Sequence, residues 1–169
     1  MVTMKKFLIL GNKNAITYKE IFPLLKENKI WLGLTMQSGG RFIVSDEKTT
    51  SVAAKCIDGV NTAFICGAHW FTNLDHAKRH DPIDLYKRYT PEEYPKYDNY
   101  DAIEVSKTCN IPMDYYSFMG VPITFLDKYC KDQFEIIGYA CNGSNNQWDY
   151  FKPIINGKHI YKRLLIKRR

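Results

Sequence analysis

The sequence predicts an α/β fold organised as a single module over residues 1–169, and three successive segments carry that prediction. Lys5–Leu10 indicates a short strand whose apolar residues are continuous, as in strands buried on both faces of a parallel sheet. Ile21, Leu24 and Leu25 then form a helical apolar stripe, and Ile30–Gly33 indicates the following strand. A strand, a helix and a strand in this order predict one right-handed βαβ unit with parallel strands.

The helix of this unit has a start signal and an internal breaker. Thr17 and Glu20 have the spacing of a capping box, which predicts that the helix begins beside Thr17. Pro23 lies within the apolar stripe and must kink or restart the helix, because proline lacks the amide hydrogen. Asn28 is the expected end of the helix.

Further strands and turns are predicted along the rest of the chain. Thr62–Phe71 is the strongest strand candidate, whereas residues 73–99 form a long, polar and tyrosine-rich loop. Asn156-Gly157 between apolar flanks predicts a β-hairpin over Ile154–Ile160. The remaining predicted elements are short strands at Arg41–Val44, Tyr100–Val105, Val121–Leu126 and Gln133–Cys141, and a turn at Asn142–Asn146.

The positive charge of the chain is concentrated at one end. The formal net charge is +6, with 24 basic and 18 acidic residues. Seven of the basic residues fall within residues 152–169, which contain no acidic residue, so the other 151 residues are close to neutral. A localised positive field attracts polyanions such as nucleic acid, although a solubilising tail explains the same composition.

The cysteines and the hydropathy pattern bear on the cellular compartment. The five cysteines are odd in number and irregularly spaced, which argues against a disulfide framework and for a reducing environment. No apolar run reaches the length of a signal-peptide core or of a membrane span. We therefore expect a cytoplasmic protein without a membrane partner.

The loop that follows the first strand is a candidate ligand site. Asn12, Lys13 and Asn14 come directly after the strand, at the edge where open α/β sheets bind their ligands. The loop contains one glycine, and the sequence has no dinucleotide fingerprint or Walker motif. An ordinary turn between a strand and a helix is the alternative interpretation.

Cysteine and histidine residues between positions 66 and 80 permit a zinc site. Cys66, His69, His76 and His80 include a pair of histidines spaced as on one helix face. The spacing is shorter than in common zinc fingers. The segment Lys78–His80 is also explained as a basic loop that lies near phosphates.

The final hairpin alternates basic and aromatic residues. If the strand continues, His159, Tyr161 and Arg163 share one face, where arginine contacts phosphate and tyrosine stacks on an unpaired base. A solvated amphipathic strand explains the pattern equally well.

Several long blocks of the sequence resemble the EcoRI-type adenine-specific DNA methyltransferases. The blocks follow the order of the family and cover most of the chain, except residues 34–61. They are Lys6–Asn12, Ala15–Leu24, Trp70–His76, Lys78–His80, Tyr94–Ile103, Met119–Leu126 and Gln133–Gly138.

The resemblance implies a fold and an activity. Members of the family transfer a methyl group from S-adenosylmethionine to N6 of adenine in double-stranded DNA, after flipping the base out of the helix. They carry a Rossmann-like sheet, with the donor site in the N-terminal half and an Asn-Pro-Pro-Phe loop upstream of the strand matched by Lys6–Leu10. The resemblance therefore covers the C-terminal half of the family.

From the resemblance we expect a partial Rossmann-like sheet in residues 1–72 and DNA-recognition segments with a C-terminal hairpin in residues 73–169. We expect the isolated chain to bind DNA, to hold S-adenosylmethionine without tight affinity, and to be inactive alone. The candidate DNA-contacting residues are Asn12, Lys13, Asn14, Lys78, Arg79, His80, Lys162, Arg163, Lys167 and Arg168.

Two other functions remain open. An unpaired strand near the first residues could complete its sheet against a separate chain that supplies the N-terminal half, or against a second copy. The chain would then be a non-enzymatic interaction module. A small zinc-binding module is the third hypothesis.

Overall fold

A computed structural model describes residues 5–35, 39–45, 54–141 and 149–169. The predicted turn at Asn142–Asn146 lies outside these described residues. Within them, the one α-helix is α1 (Phe22–Lys26), and short 3₁₀ helices cover Lys13–Thr17, Ala77–Arg79, Thr108–Asn110 and Ile123–Lys128. The strands are β1 (Leu8–Asn12), β2 (Trp31–Leu32), β3 (Gly39–Ile43), β4 (Ala54–Ile57), β5 (Val60–Cys66), β6 (Ala68–Thr72), β7 (Ile103–Glu104), β8 (Met119–Val121), β9 (Phe134–Cys141), β10 (Asp149–Phe151), β11 (Ile154–Ile155), β12 (Lys158–His159) and β13 (Arg163–Arg168).

The chain is therefore rich in strands, with mixed sheets and little helix, which supports a mixed α/β class at a coarse level. No helix in the described part of the chain is long and apolar enough to cross a membrane.

The first sheet has the order β1-β6-β2. Both β1 and β2 pair antiparallel with β6, so they run parallel to each other as predicted. They are not neighbours, however, because β6 lies between them and pairs with both at Thr72. Periodicity identified the two strands but carried no information about a later strand inserted between them.

The predicted capping box at Thr17 and Glu20 is wrong. Thr17 closes the 3₁₀ turn after β1, and its hydroxyl donates to the carbonyl of Asn14 at 2.9 Å. Helix α1 begins five residues later, with Pro23 in its first turn, where a missing amide hydrogen costs no helical hydrogen bond. Pro23 therefore restarts the helix, and Asn28, at φ 54°, lies just beyond its end.

The strongest predicted strand, Thr62–Phe71, is divided into β5 and β6, which belong to different sheets. Gly67 separates them at φ 73°, a left-handed conformation that favours glycine. β5 forms a second sheet of order β3-β5-β4, and β3 corresponds to the strand predicted at Arg41–Val44.

The third sheet has the order β10-β9-β13-β8-β7 and mixes parallel and antiparallel pairs. Its central strand is β13, the most basic segment of the sequence. Leu164, Leu165 and Ile166 are buried in β13, which explains why a basic segment occupies the middle of a sheet. The C-terminal end is thus a structural strand and not a tail.

The predicted hairpin at Asn156-Gly157 is confirmed. Asn156 (φ 50°) and Gly157 (φ 73°) both adopt positive φ, as a two-residue hairpin turn requires, and they connect β11 with β12. The continuous strand expected from His159 to Arg163 is wrong, because β12 ends at His159 and β13 begins at Arg163.

One buried cluster joins side chains of the first and third sheets. It contains Phe71 from β6, Leu25 from α1, and Phe134 from β9, whose ring meets that of Phe125 edge-on at 5.4 Å. The long loop 73–99 is held against the core by Tyr94, whose hydroxyl donates to the Asn110 carbonyl at 2.7 Å. The division of the chain into a methyltransferase-sheet region, residues 1–72, and a DNA-recognition region, residues 73–169, stays a prediction.

Candidate functional site

The loop after β1 is held in one conformation by short hydrogen bonds. The Asn12 side-chain oxygen accepts from the backbone amide of Asn14 at 2.9 Å, which closes a tight turn. The amide of Lys13 donates to the Gly67 carbonyl at 2.7 Å and so connects the loop to the start of β6. Asn12 and Asn14 are left exposed at the end of the strand.

Asp127 binds this loop to the protein from the opposite side. The Lys13 ammonium lies 2.6 and 2.7 Å from the two carboxylate oxygens of Asp127, and both side chains are 13% exposed. The Nε2 atom of the fully buried His69 lies 3.5 Å from Asp127 Oδ1. Three distant segments thus meet at one carboxylate, and Lys13 is engaged within the protein.

The basic loop predicted at Lys78–His80 is divided between structural and exposed side chains. Arg79 is 6% exposed, and its guanidinium lies 3.3 Å from the centroid of the Trp31 ring. It also pairs with Asp75 at 3.4 Å, and burial lowers the pKa of Arg79. Lys78 is partly exposed and has no ion pair with any described residue.

His80 is exposed and lies between two carboxylates. Its Nε2 atom is 2.9 Å from Asp75 Oδ2, and its Nδ1 atom is 3.5 Å from Asp132 Oδ2. The hydrogen bond from His80 lowers the pKa of the Asp75 carboxyl. The two carboxylates reduce the positive field of the loop.

The possible zinc ligands do not come together. His76 Nε2 lies 3.1 Å from the Leu32 carbonyl oxygen, His69 lies against Asp127, and His80 faces Asp75. Within residues 5–35, 39–45, 54–141 and 149–169, no three histidine, cysteine, aspartate or glutamate side chains are grouped as metal ligands. Gly67 directs Cys66 and His69 into different sheets, so the zinc hypothesis loses its structural basis.

The C-terminal basic residues divide into arginines that contact other side chains of the protein and lysines that remain accessible. The Arg163 guanidinium makes contacts of 2.6, 2.9 and 3.1 Å with the Glu104 carboxylate, and both side chains are almost buried. The Arg168 guanidinium lies 5.0 Å from the Tyr116 ring centroid. Lys162 and Lys167 remain accessible without an ion pair to a described residue.

A third group of residues was missed in the sequence. A cleft of about 680 Å³ lies beside the end of β9, β10 and the β11–β12 hairpin. Its lining includes Tyr100, Tyr150, Phe151, Lys152 and His159. The mixture of aromatic and basic residues in the last twenty positions was a signal, but Tyr100 enters the cleft from a loop fifty residues earlier.

The sheet face and edge at β1 are unusually apolar for a surface. Leu8 and Ile9 are 55% and 57% exposed, although each belongs to a strand. β1 pairs with β6 along one edge, and no described strand pairs with its other edge. An apolar depression on one face is lined by residues that include Ile9, Leu24 and Phe71.

Comparison with known proteins identifies the family. The family model described as "Adenine-specific methyltransferase EcoRI" matches residues 1–169. The type II methyltransferase M.EcoRI of Escherichia coli is 46% identical over 170 residues, covering 98% of this chain and 51% of the relative. M.MpnI of Mycoplasma pneumoniae and M.MgeORF184P of Mycoplasma genitalium are each 36% identical, covering 98% and 97% of this chain and 57% of each relative.

The chain spans about half the length of these relatives. No solved structure matches it significantly. The resemblance seen in the separate sequence blocks is confirmed over the whole chain, including residues 34–61, where the blocks gave little support. The chain belongs to the EcoRI family of adenine-specific methyltransferases.

Proposed function

We propose that this chain forms the C-terminal, DNA-contacting portion of a site-specific adenine-N6 DNA methyltransferase of a restriction–modification system. The observation that carries the proposal is the fixed Asn12–Asn14 loop at the carboxyl end of β1. Open α/β sheets bind ligands at this edge, and the Lys13–Asp127 pair holds the two asparagines outward. Asn12 and Asn14 are proposed to line the cleft that receives the target adenine.

The proposed phosphate contacts are the accessible basic side chains Lys78, Lys162 and Lys167, together with His80. The engagement of Arg79 by Trp31 and of Arg163 by Glu104 gives these two arginines structural roles that support the surface. Arg168 combines both possibilities, because its guanidinium lies over the Tyr116 ring with the Nη1 atom buried, while the residue as a whole is partly exposed.

We further propose that the first sheet is the late part of a Rossmann-like methyltransferase sheet and that the chain alone does not methylate DNA. The 169 residues contain no Asn-Pro-Pro-aromatic segment. The cavity beside Trp31 and Asp127 holds about 20 Å³, far too little for S-adenosylmethionine. This cavity therefore does not fit the methyl donor, and tight donor binding is assigned to the intact enzyme.

Fluorescence anisotropy with a labelled duplex tests the DNA contact. Non-specific binding predicts a dissociation constant of about 10⁻⁴–10⁻⁶ M at physiological salt. Lys162→Gln and Lys167→Gln should each reduce the slope of log affinity against log salt by about 0.9, because each removes one phosphate contact. Lys19→Gln, an exposed lysine before α1, is the matched control and should leave the slope unchanged.

Equal slopes for all three variants and the wild type would contradict the proposed contacts. Inactivity is tested with tritiated S-adenosylmethionine and duplex DNA. We expect no methyl transfer by the purified chain. Incorporation of label into DNA would show that the chain carries a complete catalytic centre.

A second candidate function rests on the exposed β1 edge. A separate chain that supplies the N-terminal half could add a strand beside Leu8–Leu10 and cover the apolar depression at Ile9. Size-exclusion chromatography with light scattering measures whether the chain instead pairs with a second copy. A monomer at high concentration would exclude self-association. Failure of an added N-terminal half to form a complex would then exclude the partner chain.

A further inference from the structure

The cleft beside the β11–β12 hairpin has the chemistry of a site for a planar aromatic ligand. Its floor consists of the Tyr100 and Tyr150 rings, whose centroids are 5.8 Å apart. Tyr100 in turn meets the buried Tyr97 ring at 5.1 Å, and both floor residues pack against the cluster that contains Leu165. The floor is therefore continuous with the core and is held rigidly.

The β11–β12 hairpin forms a wall of the cleft and is anchored by hydrogen bonds. The Asp98 amide donates to the Ile154 carbonyl at 2.7 Å, and the Gly157 amide donates to the Asp98 carboxylate at 2.8 Å. The Asn99 side chain donates to the Lys152 carbonyl at 2.9 Å. These bonds fix the hairpin against the 98–99 loop, so the shape of the cleft does not depend on a ligand.

Phe151 distinguishes this cleft from an ordinary surface depression. Its side chain is 71% exposed in β10, although a phenylalanine gains most when its ring is buried. Phe151 lines the cleft together with the two tyrosines, and its ring makes no aromatic contact with a described residue, so most of its surface is open to a ligand. An aromatic group of a ligand that stacked on Phe151 would bury the exposed ring and one face of the ligand.

The charges around the cleft are of both signs, so attraction for phosphate is weaker than in a purely basic cleft. Lys152 and His159 line it together with the carboxylate of Asp149, and Lys158 lies on the adjoining strand. The carboxylate offsets much of the attraction for an anion. The aromatic surface must then supply most of the binding, and the lysines suit the phosphate that accompanies a nucleobase.

We infer that this cleft holds an unstacked base of the bound DNA, with Phe151 as the stacking surface and Lys152 beside the flanking phosphate. The inference rests on the proposed DNA contact. The site is formed by the third sheet and its hairpin. The proposed target-base residues lie elsewhere: Asn12 ends β1 of the first sheet, and Asn14 belongs to the 3₁₀ turn that follows it. The cleft is therefore a second base-binding position and not the catalytic one.

Photocrosslinking tests the inference directly. The probe is a duplex with a single-nucleotide bulge that carries 5-iodouracil, and cross-linked peptides are located by mass spectrometry. We expect cross-links within residues 150–159. Phe151→Ala should weaken binding of the bulged duplex about ten-fold, within the range for loss of one base–aromatic stack, and leave binding of the fully paired duplex little changed.

Two further variants sharpen the test. Phe151→Leu retains apolar volume without a ring and should behave like Phe151→Ala if stacking is responsible. Tyr86→Ala removes another exposed aromatic outside the cleft and should have no effect. Circular dichroism confirms that the variants fold, which their surface positions favour.

The outcomes separate this inference from the proposed function. Cross-links confined to other segments, together with wild-type binding by Phe151→Ala, would overturn the cleft and leave the DNA contact standing. Wild-type binding by Phe151→Leu would overturn stacking as the mechanism. Failure of both duplexes to bind would overturn the proposed function and this inference with it.

Discussion

The buried pair between Arg163 and Glu104 provides a strong test of how the basic end is used. Glu104 receives three short contacts from the guanidinium and a fourth, at 2.6 Å, from the Tyr97 hydroxyl. The two charged side chains are only 13% and 11% exposed. Burial, followed by the nearby Glu104 charge, raises the pKa of Tyr97, so its hydroxyl remains a donor at every ordinary pH.

Glu104→Leu should lower the free energy of unfolding by about 3 kcal/mol, because it leaves a buried guanidinium and a buried hydroxyl without their acceptor. The value falls at the lower end of the usual range for a broken buried pair. Arg163 keeps weaker contacts at 3.2 Å and 3.5 Å with the backbone carbonyls of Lys162 and Tyr161. Urea denaturation followed by circular dichroism measures the change, provided that the slope of the free energy of unfolding against urea concentration is the same in both proteins.

Asp101→Leu is the matched control, because Asp101 pairs with Lys96 at 3.0 Å but both side chains are mostly exposed. Its loss should cost at most about 1 kcal/mol. The double variant Glu104→Leu/Arg163→Met should recover much of the stability, since neither charge then remains buried.

Equal effects of Glu104→Leu and Asp101→Leu would refute the reasoning. A second refutation comes from DNA binding. If Arg163→Met weakened DNA affinity while leaving the free energy of unfolding unchanged, Arg163 would be a DNA contact, as its position in the sequence suggested, and not a structural partner of Glu104.

Three further predictions concern packing, the β1 loop and pH. Gly120→Ala should lower the free energy of unfolding by about 1–3 kcal/mol, because the added Cβ would overlap the Tyr97 hydroxyl of the buried network. Gly157→Ala is the comparison, because its Cβ would meet nothing within 4 Å and the variant tests only the cost of the positive φ in the turn. Thermal unfolding measures both variants. Asp127→Asn should lower the melting temperature by several degrees, since it removes the charge that pairs with Lys13 at 2.6 Å, and an unchanged melting temperature would show that the pair does not hold the loop. The pKa of Asp75, measured by carbon-detected NMR, should lie below its usual value of about 3.9, because of the hydrogen bond with His80. The small stability from this hydrogen bond is present above the usual pKa and is lost as the pH falls through the lowered one. His80→Ala should return the midpoint of the Asp75 titration towards about 3.9.

Local sequence patterns predicted several elements of the fold correctly. The hairpin at Asn156-Gly157 follows from the conformational freedom of two adjacent residues, and β9 follows from a run of strand-forming residues between Phe134 and Cys141. The same patterns failed at Thr17 and at Gly67. A side chain that can cap a helix also closes a 3₁₀ turn, and one glycine was enough to divide an apolar run between two sheets.

The candidate site was only partly accessible from sequence. Asn12 and Asn14 were predicted as site residues from their place after the first strand. The structure exposes both, and their contact with DNA stays a prediction. The roles of Arg79 and Arg163 could not be foreseen, because Trp31 and Glu104 lie 48 and 59 residues away along the chain. A basic residue has the same signature in sequence whether it faces phosphate or a buried carboxylate.

The sequence alone determined the family of this protein, its concentration of basic residues in one segment and the elements whose signals span a few neighbouring residues. The tertiary structure decided which charges remain available. It placed β13 at the centre of a sheet, where Leu164–Ile166 are buried and Arg163 must meet Glu104. The physical reason is that burial and charge pairing depend on distances in space. Those distances arise from strand order, which periodicity along the chain does not encode.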